Sequence, residues 1–290
     1  MLGGAPCGAH RHRLELHLQA MNGNLSLEQR YLAVTARIRQ AAVAAGRDPG
    51  SVRLLAVSKT FGAPRIAELA AAGHFAFGEN YLQEALAKIT ELDHLRSRLP
   101  SASGSRPDDG PAQAGSRSGP HVQWHFIGPI QSNKTRKIAE SFDWVQSVCD
   151  IKIAGRLSAQ RPAHLPPLEV CLQVNVSGEA SKSGCDPDQV TSLADEIALL
   201  PQLRLRGLMA IPEATADVGL QSLRFAQVRR LFEAVRNSLG DRGMKGACID
   251  TLSMGMSADL EAAIAQGATL VRVGSALFGA RPAPGRPLNR

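Results

Sequence analysis

Between residues 52 and 273 the sequence alternates between short apolar runs and segments with helical spacing. The apolar runs fall at 52–57, 74–77, 122–127, 144–148, 168–176, 203–210, 249–253 and 269–273. Their lengths and near-continuous apolar character suit strands buried on both faces. Helical patterns at 64–72, 81–92, 131–140, 151–159, 187–200, 220–239 and 257–266 separate them. A helix between successive strands returns the chain to the same end of the sheet, so the strands run parallel. Eight such runs in 290 residues predict a single (β/α)₈ TIM barrel of the α/β class. The alternative is a doubly wound open sheet, which wants a glycine-rich first turn. The turn after Val57 is instead Ser58-Lys59-Thr60.

An extra helix precedes the first strand. Ser26-Leu27-Glu28-Gln29 reads as a capping box, and Leu27, Tyr31, Val34, Ile38 and Ala41 follow with helical spacing. Residues 1–24 show no period and are expected to form a flexible N-terminal extension. Residues 97–120, rich in Ser, Gly, Pro and Arg, lack the apolar content for a core and read as a disordered insert. The barrel domain thus spans 25–281, with a flexible tail at 282–290. Aromatic residues are scarce at 4%, so small aliphatic side chains are expected to fill the barrel interior.

The net charge of +7 raises the question of nucleic acid. Its location argues against that. Three Arg oppose two Glu in 1–30, four Arg oppose two Asp in 94–121, and three Arg meet no acid in 281–290. About one net positive charge remains for the folded region, which is no clustered footprint. The five cysteines form no C-x-x-C pair, so neither a disulfide framework nor a zinc site is indicated, and a reducing cytoplasm is expected. No apolar stretch reaches the roughly 20 residues of a membrane span.

Barrel sites lie at the C-terminal ends of the strands. There the sequence places Lys59 after strand one, Asn80 after strand two, Met256 and Ser257 after strand seven, and Gly274 and Ser275 after strand eight, with Arg272 just before them. Loops after strands seven and eight commonly hold a phosphate. Ser257 is expected to open a helix whose free amides favour an anion, Gly274 to admit close backbone approach, and Ser275 to donate a hydroxyl. A lysine leaving the apolar strand Leu54-Leu55-Ala56-Val57 should have a lowered pKa and act as a nucleophile. Lysine and phosphate cradle together point to a phosphorylated aldehyde.

The strings Ala56-Val57-Ser58-Lys59-Thr60, Phe77-Gly78-Glu79-Asn80-Tyr81, Trp124-His125-Phe126-Ile127-Gly128-Pro129-Ile130-Gln131-Ser132-Asn133-Lys134, Leu252-Ser253-Met254-Gly255-Met256-Ser257 and Val271-Arg272-Val273-Gly274-Ser275 resemble the pyridoxal phosphate homeostasis proteins. The resemblance runs from about 27 to 281 and implies a barrel similar to the N-terminal domain of alanine racemase. It implies pyridoxal 5′-phosphate (PLP) on a Schiff base with Lys59, phosphate contacts from Ser257, Gly274 and Ser275, Asn80 beside the cofactor and Arg272 at the pyridine nitrogen. An amino-acid racemase or decarboxylase of the same fold is the alternative. Such enzymes carry a further β domain and a tyrosine base, and this sequence has only Tyr31 and Tyr81. The expectation is a non-catalytic, monomeric carrier in the cytoplasm, with PLP-dependent apoenzymes as recipients.

Overall fold

The computed structural model describes residues 25–97, 121–178, 183–241 and 247–279. The expected N-terminal extension, the insert beyond residue 97 and the C-terminal tail lie outside the described residues. Helix α1 (Leu27–Ala44) comes first, and its capping box forms. Ser26 Oγ accepts from the Gln29 amide at 3.1 Å, and Gln29 Oε1 accepts from the Ser26 amide at 2.9 Å. These two bonds satisfy amide donors that the first helical turn leaves without partners.

Strands and helices then alternate: β1 (Arg53–Val57), α2 (Ala63–Ala71), β2 (Ala76–Glu79), α3 (Leu82–Ser97), β3 (Gln123–Phe126), α4 (Thr135–Ser141), β4 (Trp144–Val148), α5 (Ile151–Gln160), β5 (Leu168–Val174), α6 (Val190–Ala198), β6 (Leu203–Ala210), α7 (Val218–Asp241), β7 (Ala247–Ser253), α8 (Leu260–Ala265) and β8 (Leu270–Val273). One-turn 3₁₀ segments lead into α4 and α6. A short helix absent from the sequence reading, α9 (Ser275–Phe278), follows β8. Every strand pairs in parallel with the next, and β8 closes on β1 from Arg53↔Leu270 to Ala56↔Val273. The expected closed barrel is what the chain forms.

The extra helix is fastened to the barrel from its middle and from just past its C-terminal end. Arg37 bonds the Ser257 carbonyl at 2.9 Å and Glu261 through Nε and Nη2, while Arg47 bonds the Ile264 and Ala268 carbonyls at 2.8 Å. The latter two close the C-terminal end of α8, where carbonyls lack helical partners. Gly267 lies past that end at φ +94°, the conformation a terminating glycine supplies.

Three expectations need correction. The second strand is Ala76–Glu79, not 74–77: Ala76 pairs with Gln123 and Glu79 with Phe126. Gly78-Glu79 looks like a turn in sequence, yet the backbone ladder runs on through Glu79, whose carbonyl accepts the Ile127 amide at 2.9 Å, while Lys88 meets its carboxylate. The helix expected from 257 begins at Leu260, so Ser257 does not cap it. Gly255 bends the chain at φ +92°, and Asp259 Oδ1 accepts the Met256 amide at 2.6 Å. Ser257 therefore offers no helix terminus to an anion.

The third correction concerns the interior. Small aliphatic residues pack mainly between strands and helices, where Ala56, Phe77, Val145, Val170 and Leu208 join Ile66, Ile138, Leu157, Ile197 and Val228. A separate cluster contains Trp144, Cys171 and Met209. Ser253 on β7 reaches Gln146 on β4, and Arg53 on β1 lies 5.6 Å from the Trp144 ring centroid on β4. These pairs join strands that are not neighbours, so their side chains cross the lumen. The interior is largely polar because the lumen side of several strands carries hydrogen-bonding groups matched in pairs.

Candidate functional site

The turn after β1 is held from below by α3. Ser58 and Glu79 are completely buried and Lys88 is 5% exposed. Lys88 Nζ bonds the Ser58 carbonyl at 2.9 Å and Glu79 Oε1 at 2.8 Å, and pairs with Glu84 at 2.5 Å. Ser58 Oγ donates to Glu79 Oε1 at 2.5 Å, and Glu84 Oε1 accepts the Thr60 amide at 2.5 Å. One helix thus grips the backbone on both sides of the half-buried Lys59. Thr60 adopts φ 72°, the one positive φ outside glycine among the described residues. Such backbone costs about 1–3 kcal/mol and persists where surrounding bonds impose it. Burial raises the Glu79 pKa; attraction to Lys88 and bonds from Lys88 and Ser58 only partly oppose it. The sequence reading missed Lys88 and Glu84. Their i,i+4 spacing was visible, but it is also the pattern of an ordinary exposed helix pair.

Asn80 follows β2. Its Oδ1 is buried and has no hydrogen-bond partner among the described residues. The loop leaving β3 presses on it: a Cβ at Gly128 would lie 2.1 Å from the Asn80 carbonyl oxygen. Glycine at 128 is therefore needed for the two strand exits to meet. Ser147 Oγ fixes the Gly128 carbonyl at 2.6 Å.

On the opposite side, the exits of β7 and β8 bring Ser257 and Ser275 together with their hydroxyl oxygens 3.5 Å apart. A Cβ at Gly274 would lie 3.3 Å from the Val57 carbonyl oxygen, so this exit abuts the end of β1. Met256 stands beside the serines at 36% exposure. Arg37 holds the Ser257 carbonyl, a contribution from a residue 220 positions away that sequence reading could not find.

Arg272 is buried at the end of β8. Its Nη1 donates to the Ser253 carbonyl at 2.8 Å and to Ser253 Oγ at 2.7 Å, and its Nη2 donates to the Ala210 carbonyl at 2.8 Å. These bonds use three of the five guanidinium N–H donors. Arg272 forms no ion pair among the described residues, and burial lowers its pKa to about 10, with Asp259 opposing the shift from a distance. It remains a cation at neutral pH.

Beneath it lies His125, stacked on Trp144 with centroids 5.1 Å apart. Burial holds its pKa well below the usual imidazole range, with repulsion from Arg53 and His74 adding to the effect. An unfolded imidazole titrates near 6.5. As pH falls below that value the unfolded chain takes up the proton first, so the stability from a neutral His125 is complete above pH 6.5 and declines below it. The expected slope is up to about 1.4 kcal/mol per pH unit for one proton. Urea unfolding between pH 7.5 and 5.5 should show His125→Gln with a flatter pH dependence than the parent. Equal slopes would mean that the folded protein protonates His125.

A closed parallel barrel with a lysine turn at β1, paired hydroxyls at β7 and β8 and a buried arginine between them defines a ligand-binding barrel of the alanine racemase type. The family model described as alanine racemase, N-terminal domain, matches residues 31–282. The chain is 57% identical over 248 residues to the pyridoxal phosphate homeostasis protein of Pseudomonas aeruginosa, covering 86% of this chain and 93% of that one. It is 45% identical to the Escherichia coli K12 protein of the same name, covering 84% and 92%. The chain belongs to the pyridoxal phosphate homeostasis protein family. The structure of PipY from Synechococcus elongatus with PLP bound superposes with a TM-score of 0.68 at 32% identity, covering 88% of this chain and all of that one. Alanine racemase from Corynebacterium glutamicum shares the fold, with a TM-score of 0.53 at 15% identity over 88% of this chain and 62% of that one.

Proposed function

We propose that this chain binds PLP through a Schiff base on Lys59 and serves in PLP homeostasis as a carrier rather than an enzyme. The observation that carries this reading is that the β8 exit abuts the end of β1 at Gly274 and Val57, one residue before Ser275, which is paired with Ser257, and two residues before Lys59. The residues fit the group. The paired hydroxyls suit a phosphate, Asn80 offers a buried polar atom with no hydrogen-bond partner among the described residues, and Arg272 has donors to spare above its three bonds. PLP supplies an aldehyde for a lysine amine, a pyridine ring and a phosphate. In this reading Ser257, Gly274 and Ser275 hold the phosphate, Asn80 and Met256 flank the ring, and Arg272 faces the pyridine nitrogen. Arginine donates only, so it keeps that nitrogen unprotonated.

The phosphate assignment has a direct test. Ser257→Ala with Ser275→Ala should weaken retention of PLP more than of pyridoxal, since only PLP has the phosphate. Hydrogen bonds to a charged group contribute about 1.5–3 kcal/mol each. Equal weakening of the two ligands, measured by equilibrium dialysis, would remove the serines from the phosphate role.

The placement of the two tyrosines supports the carrier reading. Racemisation needs an acid–base group on each face of the substrate. Tyr31 packs on His74 with centroids 5.5 Å apart, and Tyr81 stands 58% exposed on the rim. Neither is held in a closed site. Holo-protein incubated with each L-amino acid in deuterated water should therefore show no robust α-proton exchange. Fast exchange that disappears in Lys59→Ala would establish an enzyme. The recipients in this reading are PLP-dependent apoenzymes of the cytoplasm, served by a monomer. Among the described residues no helix is long and apolar enough to cross a membrane.

A further inference from the structure

The polar chain inside the barrel has a single direction. Arg272 can only donate, so Ser253 Oγ accepts its Nη1 hydrogen at 2.7 Å. The serine's own hydrogen then goes to Gln146 Oε1, also at 2.7 Å. With its oxygen committed there, the Gln146 amide nitrogen faces His125 Nδ1 at 2.9 Å and donates to it. The remaining proton of the neutral imidazole sits on Nε2, which has no partner among the described residues. The four groups come from β8, β7, β4 and β3, and all are buried. Each dipole in the chain turns its negative end toward Arg272.

Buried cations are ordinarily paired with a carboxylate. Here neutral dipoles and two backbone carbonyls do that work. The difference matters for what Arg272 presents to the barrel mouth. A carboxylate at Gln146 would stabilise the guanidinium but would cancel much of its field toward an anionic ligand. An amide stabilises it and adds no charge.

We infer that Gln146 and Ser253 are positioning residues that solvate Arg272 without neutralising it, so that its full positive charge faces the anionic ligand at the strand ends. The inference rests on the reading of Arg272 as a contact to PLP. It assigns Gln146 a role that depends on its lack of charge, and Ser253 a role as the link that orients the guanidinium.

The test is a PLP titration of the full chain followed by absorbance, with melting temperatures taken in parallel. Gln146→Glu keeps the acceptor for Ser253 and adds one negative charge within two hydrogen bonds of Arg272; the oxygen that replaces the amide nitrogen is met by His125 carrying its proton on Nδ1 instead of Nε2. It should weaken PLP on the order of tenfold in protein still folded at the titration temperature, because a charge at this range acts strongly in a low-dielectric interior. Gln146→Met breaks the chain without adding charge, and should lose stability yet bind PLP better than Gln146→Glu. A purely structural role predicts the reverse order of affinities, since Glu retains a bond that Met lacks. PLP binding by Gln146→Glu equal to the parent would overturn the inference.

Ser253→Ala provides an arm independent of folding at position 146. It should weaken PLP and pyridoxal by the same factor, because it changes no charge and disturbs only the orientation of the guanidinium toward the ring that both ligands carry. Unchanged binding of both ligands would also overturn the proposal. Arg272→Leu separates the ligand contact from the solvating role. If it leaves PLP affinity intact, the assignment of Arg272 to the ligand is wrong. If it weakens PLP while the Gln146 and Ser253 variants bind normally, that assignment stands and the solvating role is wrong.

Discussion

Lys59→Ala is expected to abolish the visible absorbance band of the PLP-loaded protein while leaving the barrel folded. The band depends on a covalent link between the ligand aldehyde and a lysine amine, and alanine offers no amine. Folding should survive because bonds to the residues on either side of Lys59 hold this turn. Lys88 holds the Ser58 carbonyl, Ser58 Oγ holds Glu79, and Glu84 holds the Thr60 amide. Ligand can still enter non-covalently through the serine pair and Arg272, so the variant should retain weak PLP binding by dialysis with no coloured product. Borohydride reduction followed by peptide mapping should label the parent on the peptide carrying Lys59 and leave the variant unlabelled. A variant that keeps the band would place the covalent site on another lysine.

Lys88→Ala should produce the largest loss of stability of any single change near the site. Glu79 is wholly buried and Lys88 is its cationic partner at 2.8 Å. Removing one member of a buried pair strands the other, at a cost of about 3–5 kcal/mol. A domain of this size should lose roughly 10 °C in melting temperature. The loss should grow with pH. Burial already raises the Glu79 pKa in the parent, so its carboxyl weighs least on the fold below the unfolded value near 4.5, where it is neutral. Stability is lost as pH rises through the folded pKa, and without Lys88 that penalty deepens. Lys88→Ala combined with Glu79→Gln should recover part of the loss, because glutamine can still accept from Ser58 Oγ. Thermal melts at pH 5 and pH 8 give the measurement. A Lys88→Ala protein as stable as the parent at pH 8 would mean that water reaches the pair.

Both variants also bear on how the site is assembled. Lys59→Ala removes the amine proposed to react and leaves its support. Lys88→Ala leaves the amine and removes the support, so the turn loses its anchor on the Ser58 side. PLP occupancy should fall in Lys88→Ala even below its melting temperature, with the band weakened rather than absent.

Much of this architecture can be read along the chain because it depends on neighbours in sequence. The 26–29 capping box involves residues three apart, and helix and strand patterns declare themselves within one or two turns. The strand-end rule then brings Lys59, Asn80, Ser257, Arg272, Gly274 and Ser275 to one rim before any contact is known. Errors arose where local appearance and tertiary partner disagreed. Gly78-Glu79 has the composition of a turn, but pairing with β3 carries the strand through Glu79, and its buried carboxylate finds Lys88 on α3. Ser257 looks like a helix cap, but Gly255 and Asp259 delay the helix to Leu260.

The sequence by itself determined the barrel class, the order of its elements and the rim on which the chemistry gathers, because periodicity and strand ends are local properties of the chain. Only the tertiary structure decided which polar groups meet across the lumen. Ser253 and Gln146 lie 107 residues apart, and Arg37 and Ser257 lie 220 apart. Their contacts exist only after the sheet closes and fixes the stagger of its strands. No periodicity reports that closure geometry, so the solvation of Arg272 and the clamp on Ser257 become visible only in three dimensions.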